Sequence, residues 1–217
     1  MCKKNKLYII GAGSVGGHIA KNISDYSGNF KVAGFYDDDK KKIGTKIFDS
    51  PVLGSVSDVL TTENLFIVIG IAYPNVKKVL FERLSENKTL KYPSLIHNKA
   101  WISADVFIGE GAVIYPGTSI NYGSIIREHV LLNMNCCLGH HTEIGKYSTL
   151  APGVNTGGHT SVGKCVDIGI GVSTIQNIKI CSDSLIGGQA FVNKNIPSGS
   201  KAMGVPVKIK KSDLNKS

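Results

Sequence analysis

The sequence predicts a small α/β domain followed by a parallel β-helix, and two observations carry that reading. The first is a period of six. From Ile102 to Val192 an aliphatic or Thr residue recurs at every sixth position without insertion or deletion, through Ile108, Ile114, Ile120, Ile126, Leu132, Leu138, Ile144, Leu150, Thr156, Val162, Ile168, Thr174, Ile180 and Ile186. Two residues earlier stands a second column of small or β-branched residues, such as Ala112, Thr118, Ser124, Cys136, Thr142 and Ser148. Two positions apart on a strand point to the same side, so both columns can face inward across a short strand. A short strand and a corner every six residues close a triangular coil after three hexads, and such coils stack as a solenoid. Gly at 109, 139, 145, 157, 163, 169 and 187, with Asn at 121, 133 and 193, follows the aliphatic column, and these residues suit corner backbone. An antiparallel sandwich of short strands would lose this phase within two or three turns.

The second observation is GxGxxG between a strand and a helix. Leu7–Ile10 is an apolar strand, Gly11, Gly13 and Gly16 supply the pattern with Ser14 among them, and helical periodicity runs through Val15, Ile19 and Ile23. Glycines there let phosphate approach the amides of a helix N-terminus. A second strand, residues 31–36, ends at Asp37 and Asp38, where a carboxylate can accept hydrogen bonds from a ribose or base. A third strand, residues 65–70, ends at Gly70 and precedes a helix over 74–86. The Rossmann-like unit then stops, leaving room for half of a dinucleotide fold. This favours a mononucleotide or nucleotide-sugar site over a nicotinamide-dependent oxidoreductase or a purely structural glycine turn. The expected boundaries are 1–93 for the nucleotide-binding domain, 94–196 for the β-helix and 197–217 for a C-terminal tail.

Bulk properties narrow the partners. The chain has 217 residues, 42% apolar, with a formal charge of +9. Lys3, Lys4 and Lys6 cluster near one end, and Lys208, Lys210, Lys211 and Lys216 near the other. With no basic helix or basic-aromatic platform, nucleic acid is not the expected partner; a solvated basic surface or a small polyanion is. Five cysteines at 2, 136, 137, 165 and 181 without a CxxC pair fit reduced thiols. The N-terminal apolar run is too short for a signal peptide or a bilayer span, so a cytoplasmic protein without membrane attachment is expected.

Chemistry concentrates at 133–141, Asn-Met-Asn-Cys-Cys-Leu-Gly-His-His. One coil is 18 residues, so His141 should stack on His159 about one strand spacing away, and His140 should neighbour Gly158. An imidazole base and a bare backbone N–H can then converge on one carbonyl. His141 and His159 offer two metal ligands and the sequence shows no third, so no metal site is expected. His97 reads as a surface loop residue at the domain crossing.

With these motifs and the ending 203–208, Met-Gly-Val-Pro-Val-Lys, the chain resembles the nucleotide-amino-sugar N-acetyltransferases of bacterial surface-glycan synthesis. These belong with the bacillosamine-pathway and sialic-acid O-acetyltransferase-like members of the hexapeptide acyltransferases. The resemblance implies a left-handed β-helix, a homotrimer, and acetyl-CoA as co-substrate in the groove between adjacent β-helices, with no permanently bound cofactor. It implies His140 as base, Asn133 on the family's asparagine and the Gly158 N–H facing the thioester carbonyl. Acetyl-CoA would meet His141, Gly158, Gly204, Pro206 and Lys208. The nucleotide, UDP or dTDP, would meet Gly11, Gly13, Ser14, Gly16, Asp37, Asp38 and Gly70. The implied acceptor is the amine of a 4-amino-4,6-dideoxy sugar, with O-acetylation of a sialic-acid-like sugar as the alternative. Two positions depart from the family: His141 stands where an acidic residue usually follows the base, and Val15 where close relatives carry histidine.

Overall fold

A computed structural model describes residues 4–211, so Cys2, Lys3 and Lys216 lie outside the described residues. The chain divides into two units, residues 1–98 and 99–217.

In the first unit, β1 (Asn5–Ile10) lies between β2 (Phe30–Tyr36) and a later strand (Phe66–Ile69), parallel to both. A hairpin absent from the sequence reading extends the sheet. Its strands are β3 (Lys46–Ile47) and β4 (Ser50–Gly54); β4 runs parallel to β2, and with Phe66–Ile69 as β5 the order is β3-β4-β2-β1-β5. Phe48 and Asp49 at its tip both have positive φ, the handedness a tight hairpin turn needs. Helix α1 spans Ser14–Asn22 and α2 spans Pro74–Leu84, close to the expected bounds. One core cluster joins Ile10, Tyr36, Val59, Ile67, Ile69 and Leu84. His97, expected on a surface loop, is 6% exposed and packs edge-on against Tyr26 at 5.1 Å. That bridge joins residues 71 apart, which no local pattern reveals. Burial, and then the nearby His97, lowers the His18 pKa.

The second unit is the parallel β-helix. Two-residue strands recur every six positions, from Trp101–Ile102 to Phe191–Val192, and those as far as Ser173–Thr174 each pair with the strand 18 residues on. The strands form three sheets, one per side of the coil. Both inward columns are sealed: Ile114, Ile120, Ile126, Leu132, Ile144 and Leu150 are wholly buried, as are Ala112, Thr118, Cys136, Thr142 and Ser148. Each buried Leu or Ile contributes roughly 1.5–3 kcal/mol. After residue 196 the chain continues the stack. Ser200–Met203 runs parallel to Leu185–Ile186, and Lys208–Lys211 returns antiparallel to it.

The glycine column has a different cause from the expected one. Positive φ does not fall on Gly139 or Gly157 but two residues later in each hexad, at His129, His141, Tyr147, His159 and Cys165 among others. Gly139 and Gly157 are needed for coil stacking: a Cβ on Gly139 would stand 2.6 Å from Gly158 N, and one on Gly157 2.6 Å from Gln176 N.

Candidate functional sites

The first site lies at the carboxyl ends of β1, β2 and β5, where parallel α/β sheets hold ligands. Gly11 turns the chain out of β1 with φ +96°, and α1 opens at Ser14 with no side chain capping it. Amides of that first turn therefore face the cavity. The cavity measures ≈ 310 Å³ and is lined by Gly11, Gly13, Ser14, Asp37, Lys42, Gly70 and Tyr73, among others. An adjoining apolar slot of ≈ 200 Å³ shares Gly11 and Asp37 and adds Asp38, Val56 and Leu80. Gly16 lines neither cavity. A Cβ on Gly70 would fall 2.9 Å from Gly16 Cα, so this pair lets the helix start close on the end of β5.

Both acidic residues are engaged by the protein itself. Asp37 Oδ2 accepts from the Ala12 N–H at 2.8 Å and from Lys42 Nζ at 2.9 Å, and its Oδ1 accepts from the Asp39 N–H at 2.9 Å. Burial pushes the Asp37 pKa up, but the hydrogen bonds from Lys42, Asp39 and Ala12 outweigh it and hold the carboxyl below its ordinary value. Asp38 Oδ1 accepts from the Val56 N–H at 2.9 Å, and Arg83 approaches Oδ2 at 3.3 Å. Lys42 and Tyr73 belong to this site, and the sequence reading missed both.

The second site is a corner of the β-helix. Strand Cys137–Leu138 delivers Gly139, His140 and His141, and the next coil delivers Gly157, Gly158 and His159 beneath them. The coils are tied by His141 N–H to Tyr122 O and His159 N–H to His140 O, each 2.9 Å. His141 and His159 stack with centroids 4.8 Å apart and planes 11° apart, the expected strand spacing. His140 covers Gly158: a Cβ there would stand 2.6 Å from His140 Nε2. Above His140 lies Tyr122, stacked at 5.4 Å and 11°. Tyr122 precedes His140 by 18 residues, so the arithmetic that places Gly158 beside His140 places Tyr122 there too.

His140 Nδ1 and His141 Nδ1 lie 3.0 Å apart. One must donate and the other accept. If His140 donates from Nδ1, its Nε2 carries a free lone pair over Gly158, the state a base requires. His141 thus supplies the acceptor that an acidic neighbour would otherwise provide. Among the described residues the Gly158 N–H finds no acceptor. The two threonines of the aliphatic column support this corner from behind. Thr156 Oγ1 accepts from the Gly139 N–H at 3.2 Å and Thr174 Oγ1 from the Gly157 N–H at 3.0 Å, each hydroxyl also meeting Thr142 or Thr160. The third imidazole that sequence spacing did not show is His140 itself: one ring nitrogen from each of His140, His141 and His159 lies within 4.8 Å of the others.

Other expected residues sit apart from this cluster. Asn133 is on the preceding corner, its Oδ1 taken by the Met134 N–H at 2.8 Å. Gly204 and Pro206 lie between Ser200–Met203 and Lys208–Lys211, the strand that Lys208 opens, with the Gly204 carbonyl accepting from the Phe191 N–H at 3.1 Å.

Comparison with known proteins decides the architecture. Residues 6–84 match the PglD N-terminal domain family. The whole chain is similar to the acetyltransferase domain of PglB from Neisseria gonorrhoeae FA1090, at 24% identity and TM-score 0.86 over 94% of this chain and 99% of that one. PerB from Caulobacter crescentus, solved with CoA and GDP-perosamine, aligns at 24% identity and TM-score 0.85 over 95% and 97%. WeeI from Acinetobacter baumannii AYE aligns at 24% identity and TM-score 0.83 over 95% and 100%. The chain has the fold of these proteins. The likeness runs through both units, from the sheet that carries the glycine loop to the coils that carry the histidines.

Proposed function

We propose that the protein is an acetyl-CoA-dependent N-acetyltransferase acting on the amine of a nucleotide-linked amino-deoxy sugar. The observation that carries this reading is His140 seated on Gly158 with its Nδ1 held by His141. PerB of the same fold binds CoA and GDP-perosamine, and the PglB domain binds acetyl coenzyme A. In the first unit, the cavity edged by Gly11, Gly13 and Ser14 suits a diphosphate, and the apolar slot beside it suits a base. UDP or dTDP is the carrier we assign, with Gly70 among the contacts. Asn133, Gly204, Pro206 and Lys208 are assigned to acetyl-CoA and acceptor contacts in a homotrimer, a cytoplasmic assembly. Half-exposed apolar side chains on the β-helix, such as Phe107 and Ile170, are consistent with such an interface. Among the described residues no helix is long and apolar enough to cross a membrane.

The transfer follows from the corner. The amine lone pair forms a C–N bond to the thioester carbonyl carbon, and the π pair moves to oxygen, where the Gly158 N–H stabilises it. His140 Nε2 takes the proton released from nitrogen while its Nδ1–H points to His141. Collapse of the tetrahedral intermediate breaks the C–S bond, and the protonated imidazole returns its proton to the departing thiolate. An amine already carries a competent lone pair, so the base need only collect a proton, whereas a hydroxyl acceptor would ask more of the same histidine.

CoA release measured against a panel of nucleotide-linked 4-amino-6-deoxy sugars tests the assignment. Turnover of at least one amine, with none of the corresponding hydroxyl sugar, is expected. Turnover of hydroxyl sugars alone would make it an O-acetyltransferase. Light scattering is expected to give three chains per particle, and a fully active monomer would contradict the assembly.

A further inference from the structure

We infer that the His140–His141–His159 corner is a binding site for a divalent transition-metal ion, and that occupation switches off the base. The ligand set is already gathered. One nitrogen from each ring lies within 4.8 Å of the other two, and the two Nδ1 atoms are 3.0 Å apart. Two histidines on one tetrahedral Zn²⁺ at 2.0–2.1 Å hold their nitrogens about 3.3 Å apart. That pair therefore needs almost no movement, and the exposed ring of His159 has only to rotate in.

The backbone beneath is fixed by consecutive coils, with His141 N–H bonded to Tyr122 O and His159 N–H to His140 O. The ordering cost of binding thus falls on side-chain torsions alone. Neutral imidazoles without a carboxylate select borderline ions such as Zn²⁺, Co²⁺ or Ni²⁺ over Mg²⁺ or Ca²⁺, which want oxygen. Water completes the coordination from the open side.

The chemical consequence is a tautomer change. An ion on His140 Nδ1 takes the lone pair there and leaves the ring proton on Nε2. Nε2 over Gly158 then becomes a donor and can no longer accept the proton of the amine. Proton and metal compete for the space between the two Nδ1 atoms. Metal binding rests on the geometry alone, whereas its silencing effect rests on the base role proposed above.

The test uses the full chain, dialysed against chelator. Calorimetry with Zn²⁺ should show one ion per chain in the absence of CoA, and Co²⁺ should produce the intense visible bands of a low-coordinate site. Zn²⁺ should inhibit CoA release reversibly, with activity restored by EDTA. His159→Asn, outside the reacting groups, should keep basal turnover while metal affinity falls about tenfold or more and the inhibition curve moves by the same factor. Cys137→Ser tests the exposed thiol of the adjacent strand and should change neither. No heat and no cobalt bands with the parent protein, equal affinity and inhibition in His159→Asn, or loss of binding in Cys137→Ser would each overturn the site. Metal binding without any effect on an active enzyme would remove the switch.

Discussion

The nucleotide cavity and the histidine corner look alike in sequence and differ in structure. Each sets glycines beside a pair of adjacent ionisable residues, the loop from Gly11 to Gly16 beside Asp37-Asp38 in one and Gly139 and Gly158 beside His140-His141 in the other. The aspartates spend their acceptors on the protein: Ala12, Asp39, Lys42, Val56 and Arg83 occupy them. Among the described residues each imidazole hydrogen-bonds only to its neighbour, and His140 Nε2 is left over Gly158. Charged residues at a site can therefore build its walls or perform its chemistry, and the satisfaction of their hydrogen bonds separates the two. Replacing them should separate them further: corner variants change kcat, whereas cavity variants change stability and KM for the sugar nucleotide.

The largest effect is expected for His140→Ala. General-base catalysis contributes about 10²–10⁴-fold, so kcat should fall by that factor. Its ring is at the surface side of a corner whose backbone is held by coil pairing, so the melting temperature should stay within about 2 °C of the parent. Rate measurement and calorimetry on the same sample check both. A melting temperature that collapses with activity would make His140 a structural residue and erase the contrast.

A middle effect is expected for Asp37→Asn. The substitution leaves one acceptor oxygen where three donors converge, and charge-assisted hydrogen bonds are each worth about 1.5–3 kcal/mol. A loss of about 1.5 kcal/mol lowers the melting temperature of a unit this size by roughly 6–12 °C. The Ala12 anchor of the glycine loop weakens with it, so KM for the sugar nucleotide should rise while KM for acetyl-CoA stays fixed. The pH dependence has a definite sign. The folded pKa of Asp37 lies below its ordinary value. Its stabilisation is therefore fully present above the unfolded pKa of about 3.9 and is lost as pH falls through the folded value. Stability of the Asn variant should lack that part of the acid-side decline.

These contrasts also mark what a reader of the chain alone can see. Period six fixes the register of every coil, and with it the stacking of His141 on His159 and of His140 on Gly158, because an uninterrupted repeat turns sequence distance into spatial distance. Outside the repeat that conversion fails. Strands β3 and β4 escape notice because they are short and Pro51 interrupts an already weak pattern. His97 escapes because Tyr26, its cover, is far away in sequence. Only some of the left-handed corners are Gly, at 111, 117, 123, 153 and 171, while others carry His, Tyr or Cys, so residue type alone does not mark that position in the hexad. Thr156 and Thr174 pass for aliphatic placeholders until their hydroxyls are seen to hold Gly139 and Gly157. The engagement of Asp37 and Asp38 is invisible for the same reason as the burial of His97, since Ala12, Val56 and Arg83 come from distant segments.

The smallest effect, and the sharpest use of the comparison, belongs to Asp38→Asn. The Asp38 side chain is 53% exposed, and its pair with Arg83 at 3.3 Å is a surface ion pair, worth about 0–1 kcal/mol. The Val56 N–H bond survives, because an Asn Oδ1 accepts as the carboxylate did. Melting temperature should therefore move by no more than a few degrees, far less than for Asp37→Asn. KM then becomes the informative quantity, since Asp38 borders the apolar slot assigned to the base. If Asp38 only ties β2 to the segment at Val56, KM for the sugar nucleotide should stay within about twofold, an energy of roughly 0.4 kcal/mol. A rise of tenfold or more at unchanged melting temperature would mean that its second oxygen leaves Arg83 to accept a hydrogen bond from the base. Asp38 would then cross from wall to recognition group, and the contrast between the two sites would hold for Asp37 alone.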